Sequence, residues 1–304
     1  MTTSPLTAAV NGRSAALAGI GLMLAAVFLF GLNSAIGKHL VARYSVGEFL
    51  LIRSAMTSVL LLPFIWRAGT AAFRHMPRPR LQLMRVVLSA LEIAMFFWAV
   101  RYMPLADTTT FYLAGPIYVT ALSVLLLGER VGWRRWTAVL VGFCGVLIAL
   151  RPSSASLTLP ALIALGGSML YALLLITTRL LRETDETALI TTQLLGVLLL
   201  GLVMAPFGWA APQASDLLLL CGIGLAQVAS LFCVVRSLKL AEASVVAPYQ
   251  YSLILWSVLF GWAMFAELPD GHTILGAAII IAAGLYIFWR ERVARQAARA
   301  AHDG

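Results

Sequence analysis

Two ionisable residues stand inside stretches that are otherwise apolar. Arg53 lies in "FLLIRSAMTSVLLLPF" and Glu92 in "VVLSALEIAMFFWAV". A charge within a long apolar run is costly to bury and marks a functional position by default. A guanidinium there suits a carboxylate on a ligand, through its planar fork of donors. A carboxylate there suits an ammonium or a proton. Helix rise puts both roughly 10–12 Å below the same end of their runs. The alternative reading is a structural ion pair between two helices.

Aromatic rings form the second set. Trp98, Tyr112, Tyr171, Tyr249, Tyr251 and Trp256 fall in four apolar runs. Ring faces hold an ammonium by cation–π contact, worth about 0.5–2 kcal/mol, and stack on a flat ligand. Trp66, Trp133, Trp136, Trp209 and Trp289 sit at run ends, where an interfacial belt explains them. Tyr171 lies about 18 Å and Trp256 about 20 Å into its run, deeper than a belt requires. Amides and hydroxyls come third. Asn33, Gln193, Gln227, Gln250, Thr108, Thr109, Ser168 and Ser230 are candidates, of which Gln227 weighs more, with interhelical glue as its alternative. Ser252 shares one helix face with Tyr249 and Trp256. Hydroxyls usually bond back to their own helix. Pro116 in "LAGPIYV" and Pro248 in "VVAPYQY" interrupt two runs and suit hinges or gates, or simple packing kinks.

The elements that position these groups follow from composition. The chain has 304 residues, 61% hydrophobic and 12% charged, too few charges to clothe a soluble domain of this length. The apolar residues gather in runs of about 18–23, enough to cross roughly 30 Å of hydrocarbon. Ten helices are expected, over 17–37, 46–66, 81–100, 105–127, 133–150, 159–178, 187–207, 215–235, 243–266 and 272–289. With the N-terminus cytoplasmic, seventeen of the 22 Lys and Arg residues fall on that side and four on the other, with Arg53 inside a helix. That bias predicts that both termini are cytoplasmic. The Arg74–Arg85 cluster reads as topology and lipid contact, and the tail "WRERVARQAARAAHDG" as an anchor and a weakly ordered end. Net charge is +9, but the basic residues form no aromatic-interleaved patch, so nucleic acid is not an expected partner. Cys144, Cys221 and Cys233 read as small buried hydrophobes, without disulfide or metal-ligand spacing.

The chain also repeats itself. "RYMPLADTTTFYLAGPIYVTALSVLLLGERV" parallels "RSLKLAEASVVAPYQYSLILWSVLFGWAMFAELP", aligning Asp107 with Glu242 and Glu129 with Glu267. The offset is roughly 135–140 residues, or five helices, and an odd number inverts the second copy. The expected units are an N-terminal cytoplasmic tail 1–16, five-helix repeats 17–152 and 153–290, and a basic tail 291–304. Two such halves, each ending in "GE"-like glutamate followed by a Gly-punctuated helix ("LLLGERVGWRRWTAVLVGFCGVLIAL" and "FAELPDGHTILGAAIIIAAGLYIFW"), resemble the drug/metabolite transporter superfamily, EamA type. With "APYQYSLILWS" the chain looks most like the YddG-type aromatic amino-acid exporters. The second copy carries Ala266 where glycine precedes the glutamate.

The resemblance implies a multi-pass bacterial inner-membrane protein that exports aromatic and other neutral amino acids, or related metabolites, by alternating access. The substrate and membrane lipid are its partners, and a monomer and no cofactor are expected. Other metabolites or drugs are the alternative cargo. The chain lacks a P-loop, H-E-x-x-H and G-x-S-x-G, and His39, His75, His272 and His302 lie in loops, at an edge or in the tail. Enzyme chemistry and catalytic residues are therefore not expected, and no continuous polar stripe supports a channel. The cavity residues expected are Asn33, Arg53, Glu92, Trp98, Tyr112, Tyr171, Gln227, Tyr249, Ser252 and Trp256.

Overall fold

Backbone polar groups in hydrocarbon must satisfy one another, and a helix does this within a single segment. A computed structural model shows that outcome for residues 5–68, 76–127, 132–150, 158–181, 183–240 and 246–300. The described residues form helices and connecting loops, without strands. In chain order the helices are α1 (Pro5–Arg43), α2 (Val46–Ala68), α3 (Pro79–Tyr102), α4 (Leu105–Leu113), α5 (Gly115–Leu127) and α6 (Trp133–Leu150). They continue as α7 (Leu159–Leu180), α8 (Glu186–Met204), α9 (Ala214–Leu240), a 3-10 turn (Ala247–Ser252), α10 (Leu253–Phe265) and α11 (Gly271–Ala300). Seven helices among the described residues are long and apolar enough to cross a membrane, and Trp136–Leu150 is a shorter apolar helix.

Two predicted spans are broken. The run 105–127 divides at Ala114, whose N–H bonds to the Phe111 carbonyl at 3.2 Å, and α5 restarts just before Pro116. Pro116 has no N–H to give its helix, so the ladder yields in the preceding turn. The run 243–266 is described from Val246. Pro248 lies in the first turn of a 3-10 segment, which passes into α10 at Leu253. Two ends differ from expectation in the other direction. Helix α1 begins at Pro5, within the expected polar tail, and α11 continues to Ala300. "ERVARQAARA" is rich in Ala and Arg, both strong helix formers, which explains the extension.

The dominant packing pairs are α1 with α9, α6 with α11, α2 with α8 and α3 with α7, and α4 meets α10 in a smaller contact. Exchanging each helix for its counterpart one repeat away returns the same set of pairs. The architecture is thus a two-fold intertwining of the copies rather than two separate bundles. Small residues make the closest crossings. A Cβ on Gly201 would meet the Leu51 Cα at 2.8 Å, and one on Gly276 would meet the Gly145 carbonyl oxygen at 2.7 Å. Cys144 and Cys221 are exposed and Cys233 is partly so, correcting the expectation of burial: they lie on outward helix faces.

These crossings give a stability prediction. Gly201→Val and Gly276→Val each force backbones apart and should cost about 1–3 kcal/mol, as overpacking does. Gly222→Ala, where an added Cβ meets nothing within 4 Å, should be neutral or slightly stabilising. Thermal unfolding of the detergent-solubilised protein decides this, and equal melting points for the three variants would contradict the packing assignment.

Candidate substrate cavity

Arg53 lies seven residues into α2, on the side that faces α3 and α9, and it is buried. Its Nη2 donates to Gln227 Oε1 on α9 at 2.9 Å. The same amide oxygen receives Asn33 Nδ2 from α1 at 3.4 Å, and Asn33 also donates to the Ile223 carbonyl at 3.1 Å. With donors on two sides, the Gln227 oxygen is fixed toward Arg53 by chemistry, and its NH2 group is left to point elsewhere. The guanidinium lies 5.4 Å from the Phe97 ring centre and 5.9 Å from that of Phe49. Aromatic faces partly replace the water that a cation gives up on burial. Arg53 Nε is buried without a hydrogen-bond partner.

A cavity of about 140 Å³ begins at this cluster. Its polar wall is Arg53, Ser54, Thr57, Gln193 and Gln227, and its apolar wall includes Leu61, Ile93, Leu194 and Leu231. Four helices contribute, α2 and α3 from the first copy and α8 and α9 from the second. Along α2 the lining runs from Arg53 to Leu61, about 12 Å of rise. That direction leads away from the face carrying the α1–α2, α3–α4, α8–α9 and α10–α11 connections. The connection-bearing face itself is laced shut. Tyr44 donates to Asp216 at 2.7 Å, the Ala210 N–H reaches Glu48 at 3.1 Å, and Lys38 meets Glu267.

The sequence offers Glu92 as a partner for Arg53, and the structure corrects this. The two charges stay within coulombic reach, but Arg53 is engaged by Gln227 and two phenyl rings instead. The Glu92 carboxylate makes no hydrogen bond or ion pair among the described residues, and the side chain is only half-buried. Its backbone carbonyl receives the Tyr112 hydroxyl at 3.3 Å. That hydroxyl rests over Gly167, where any Cβ would collide with it. Tyr112 lies 5.0 Å edge-on from Phe96 and 6.0 Å from Tyr171, and Phe96 lies 5.2 Å from Phe97. A row of rings therefore runs from the Arg53 guanidinium through Phe97, Phe96 and Tyr112 to Tyr171.

Asn33, Arg53, Glu92, Tyr112, Tyr171 and Gln227 form one linked set, but of the expected residues only Arg53 and Gln227 line the cavity, and Trp98, Tyr249, Ser252 and Trp256 lie elsewhere. Trp256 packs on Met23, Val27 and Phe28 of α1, 4.9 Å edge-on from Phe28 and stacked at 6.2 Å on Phe260. Its indole N–H is buried without a partner. Ser252 donates to the Tyr249 carbonyl at 2.6 Å, and Tyr249 is 37% exposed. Trp98 pairs with Tyr102 at 4.9 Å, near the end of α3. Pro116 opens α5, where its carbonyl accepts from Thr120 at 2.8 Å, and Pro248 lies within the 3-10 turn.

Sequence reasoning missed three features. Arg85, which reads as a topology charge, is buried and donates to Thr178, the Leu189 carbonyl and Gln193 at 2.9, 3.0 and 2.9 Å, joining α3 to α7 and α8. Phe96 and Phe97 carry no signal beyond apolarity. Lys38 and Glu267 read only as an outer charge and a repeat landmark. The signal available is depth, since Lys38 stands five residues before the end of α1.

The EamA-like transporter family model matches the chain twice, over residues 17–151 and 158–289. An S-adenosylmethionine uptake transporter of Rickettsia felis is 26% identical over 279 residues, covering 91% of this chain and 95% of that protein. A riboflavin transporter of Vibrio cholerae is 27% identical over 286 residues (92% and 96%), and one of Rhizobium johnstonii is 32% identical over 234 (76% of each). One solved crystal structure superposes with a TM-score of 0.55 at 16% identity, over 92% of this chain and 99% of its own, a likeness of fold. The double match and the apolar helices make this a multi-pass inner-membrane transporter of bacterial type, not an enzyme. The chain belongs to the EamA-like transporter family.

Proposed function

We propose that the protein is a ten-span secondary transporter of small zwitterionic metabolites, with amino acids and amino-acid derivatives as the first class to test. The observation that carries this is Arg53: a buried guanidinium with an unpartnered Nε on the wall of a cavity shared by both copies. A guanidinium cannot be neutralised at ordinary pH, so an anionic group of the cargo is its natural complement. The unpaired carboxylate of Glu92 suits an ammonium or sulfonium, and the ring row suits a flat or apolar remainder. The broken spans at Ala114 and Ala247–Ser252 supply the fourth and ninth crossings. An offset of five helices, an odd number, inverts the second copy, and the charge bias supports cytoplasmic termini. Aromatic and other neutral amino acids fit this chemistry, as does S-adenosylmethionine, the cargo named for the Rickettsia relatives. Riboflavin, named for the Vibrio relative, would use the ring row without the charges.

Counterflow in proteoliposomes with labelled phenylalanine, tryptophan, threonine, S-adenosylmethionine and riboflavin separates these classes. Arg53→Gln should lower flux of carboxylate-bearing cargo by about 10–100-fold, the worth of one charged hydrogen bond. If Arg53→Gln spares every transported compound, the carboxylate assignment is wrong. A riboflavin-only protein would shift the reading to neutral flat ligands.

Glu92 decides the coupling. If it carries a proton, an imposed pH gradient should drive accumulation in the parent protein and not in Glu92→Gln. Uphill accumulation by Glu92→Gln equal to the parent would exclude that role. Downhill flux indifferent to the gradient in both proteins would identify a facilitator.

A further inference from the structure

A second group of buried charge lies toward the face opposite that to which the cavity lining runs. The Lys38 ammonium contacts Glu267 Oε2 at 2.6 Å and Oε1 at 2.7 Å, and donates to the Met103 carbonyl at 2.7 Å. The Leu105 N–H reaches Glu267 Oε2 at 3.4 Å, and the Phe265 ring centre is 5.1 Å from the ammonium. Lys38 is buried, while the glutamate side chain retains 29% exposure. These contacts tie the last turns of α1 and the α3–α4 link, in the first copy, to the α10–α11 link in the second.

The elements joined are those an opening on this face would have to part. Helix α4 also meets α10 through a buried hydroxyl pair, Thr109 with Ser257 at 2.9 Å. The Lys38–Glu267 pair lies directly above that contact, since Thr109 is one turn from Leu105 and bonds its carbonyl at 2.8 Å. Parting α4 from α10 draws Glu267, on the α10–α11 link, away from Met103, on the α3–α4 link, so the ammonium cannot keep both partners. A charge left with one partner is stable only if water replaces the other. Separation and hydration are thus one event.

We propose that Lys38 and Glu267 form the ionic lock that holds this face shut while the cavity is open to the other, and that breaking it is the step that exposes the site on this side. The inference rests on the alternating-access reading of the protein, but not on the identity of its cargo.

The test is accessibility of a single thiol, introduced by Thr109→Cys in the full chain with Cys144, Cys221 and Cys233 replaced by alanine. A membrane-impermeant maleimide is applied separately to cells and to inside-out vesicles. With the lock intact, the introduced thiol should be protected from both sides. Glu267→Gln or Lys38→Met should raise labelling from this face by about tenfold or more, the order expected for loss of a charged hydrogen bond. The double variant should label no faster than the quicker single, because both remove one interaction. Unchanged labelling in either single variant overturns the proposal, as does a multiplicative double. Gel filtration checks folding. If neither substitution folds, Glu267→Asp, which keeps the charge and shortens its reach, should still label faster than the parent, and parental protection would refute the lock. The readout needs no substrate, so a wrong cargo assignment would leave its result intact.

Discussion

A guanidinium within the membrane cannot shed its charge, and much of the observed arrangement answers that constraint. Arg53 needs acceptors, and the one it has, Gln227, comes from the other copy of the repeat. Asn33 reinforces the same oxygen from a third helix. Two phenyl rings take up the cation's faces, and one of them begins the row that ends at Tyr171. The cation therefore does more than mark a site. It is the reason α1, α2 and α9 present polar atoms to a common point, and that point is where the cavity begins.

The two copies share this burden unequally. With the copies aligned on their starts at residues 17 and 158, the counterpart of Arg53 is Leu194 of α8. The two-fold packing of helices thus carries a one-sided distribution of charge. Arg85 and Lys38 also reach across: Arg85 donates to atoms of the opposite copy, and Lys38 to Glu267 of the opposite copy as well as to Met103 of its own. Cross-copy polar contacts do what a hydrophobic interface does in a soluble protein. In lipid, apolar surfaces gain little by meeting each other, and polar partners and close packing must supply the specificity.

The positions of the helices were legible in the sequence, because length and apolarity are the property the membrane selects. The breaks near Pro116 and Pro248 were legible for the same local reason: a missing N–H acts on its own turn. Asn33, Arg53, Glu92 and Gln227 were visible as polar residues in apolar surroundings. Their pairing was not, because depth along a helix is readable and rotation about its axis is not. Arg53 and Glu92 share a depth yet do not bond, and Trp256 is deep yet faces α1. Arg85 and Lys38 show the complementary failure. Near a helix end, a charge facing water and a charge facing a neighbouring helix look alike in sequence.

The close contact between α2 and α8 has a mechanical consequence. Gly47 and Gly201 let the two backbones touch near the locked face, while farther along the same pair Thr57, Leu61, Ile190 and Leu194 stand apart around the cavity. The pair is a wedge with its apex at the glycines. Inverting the wedge would bring together the positions related to these glycines by the repeat, near Leu60 and Ala188. A leucine keeps two helix axes farther apart than glycine does. The reversed wedge would therefore have a blunter apex and a narrower mouth. A protein built on near-symmetric halves would then run an unsymmetric stroke, opening wider to one compartment than to the other.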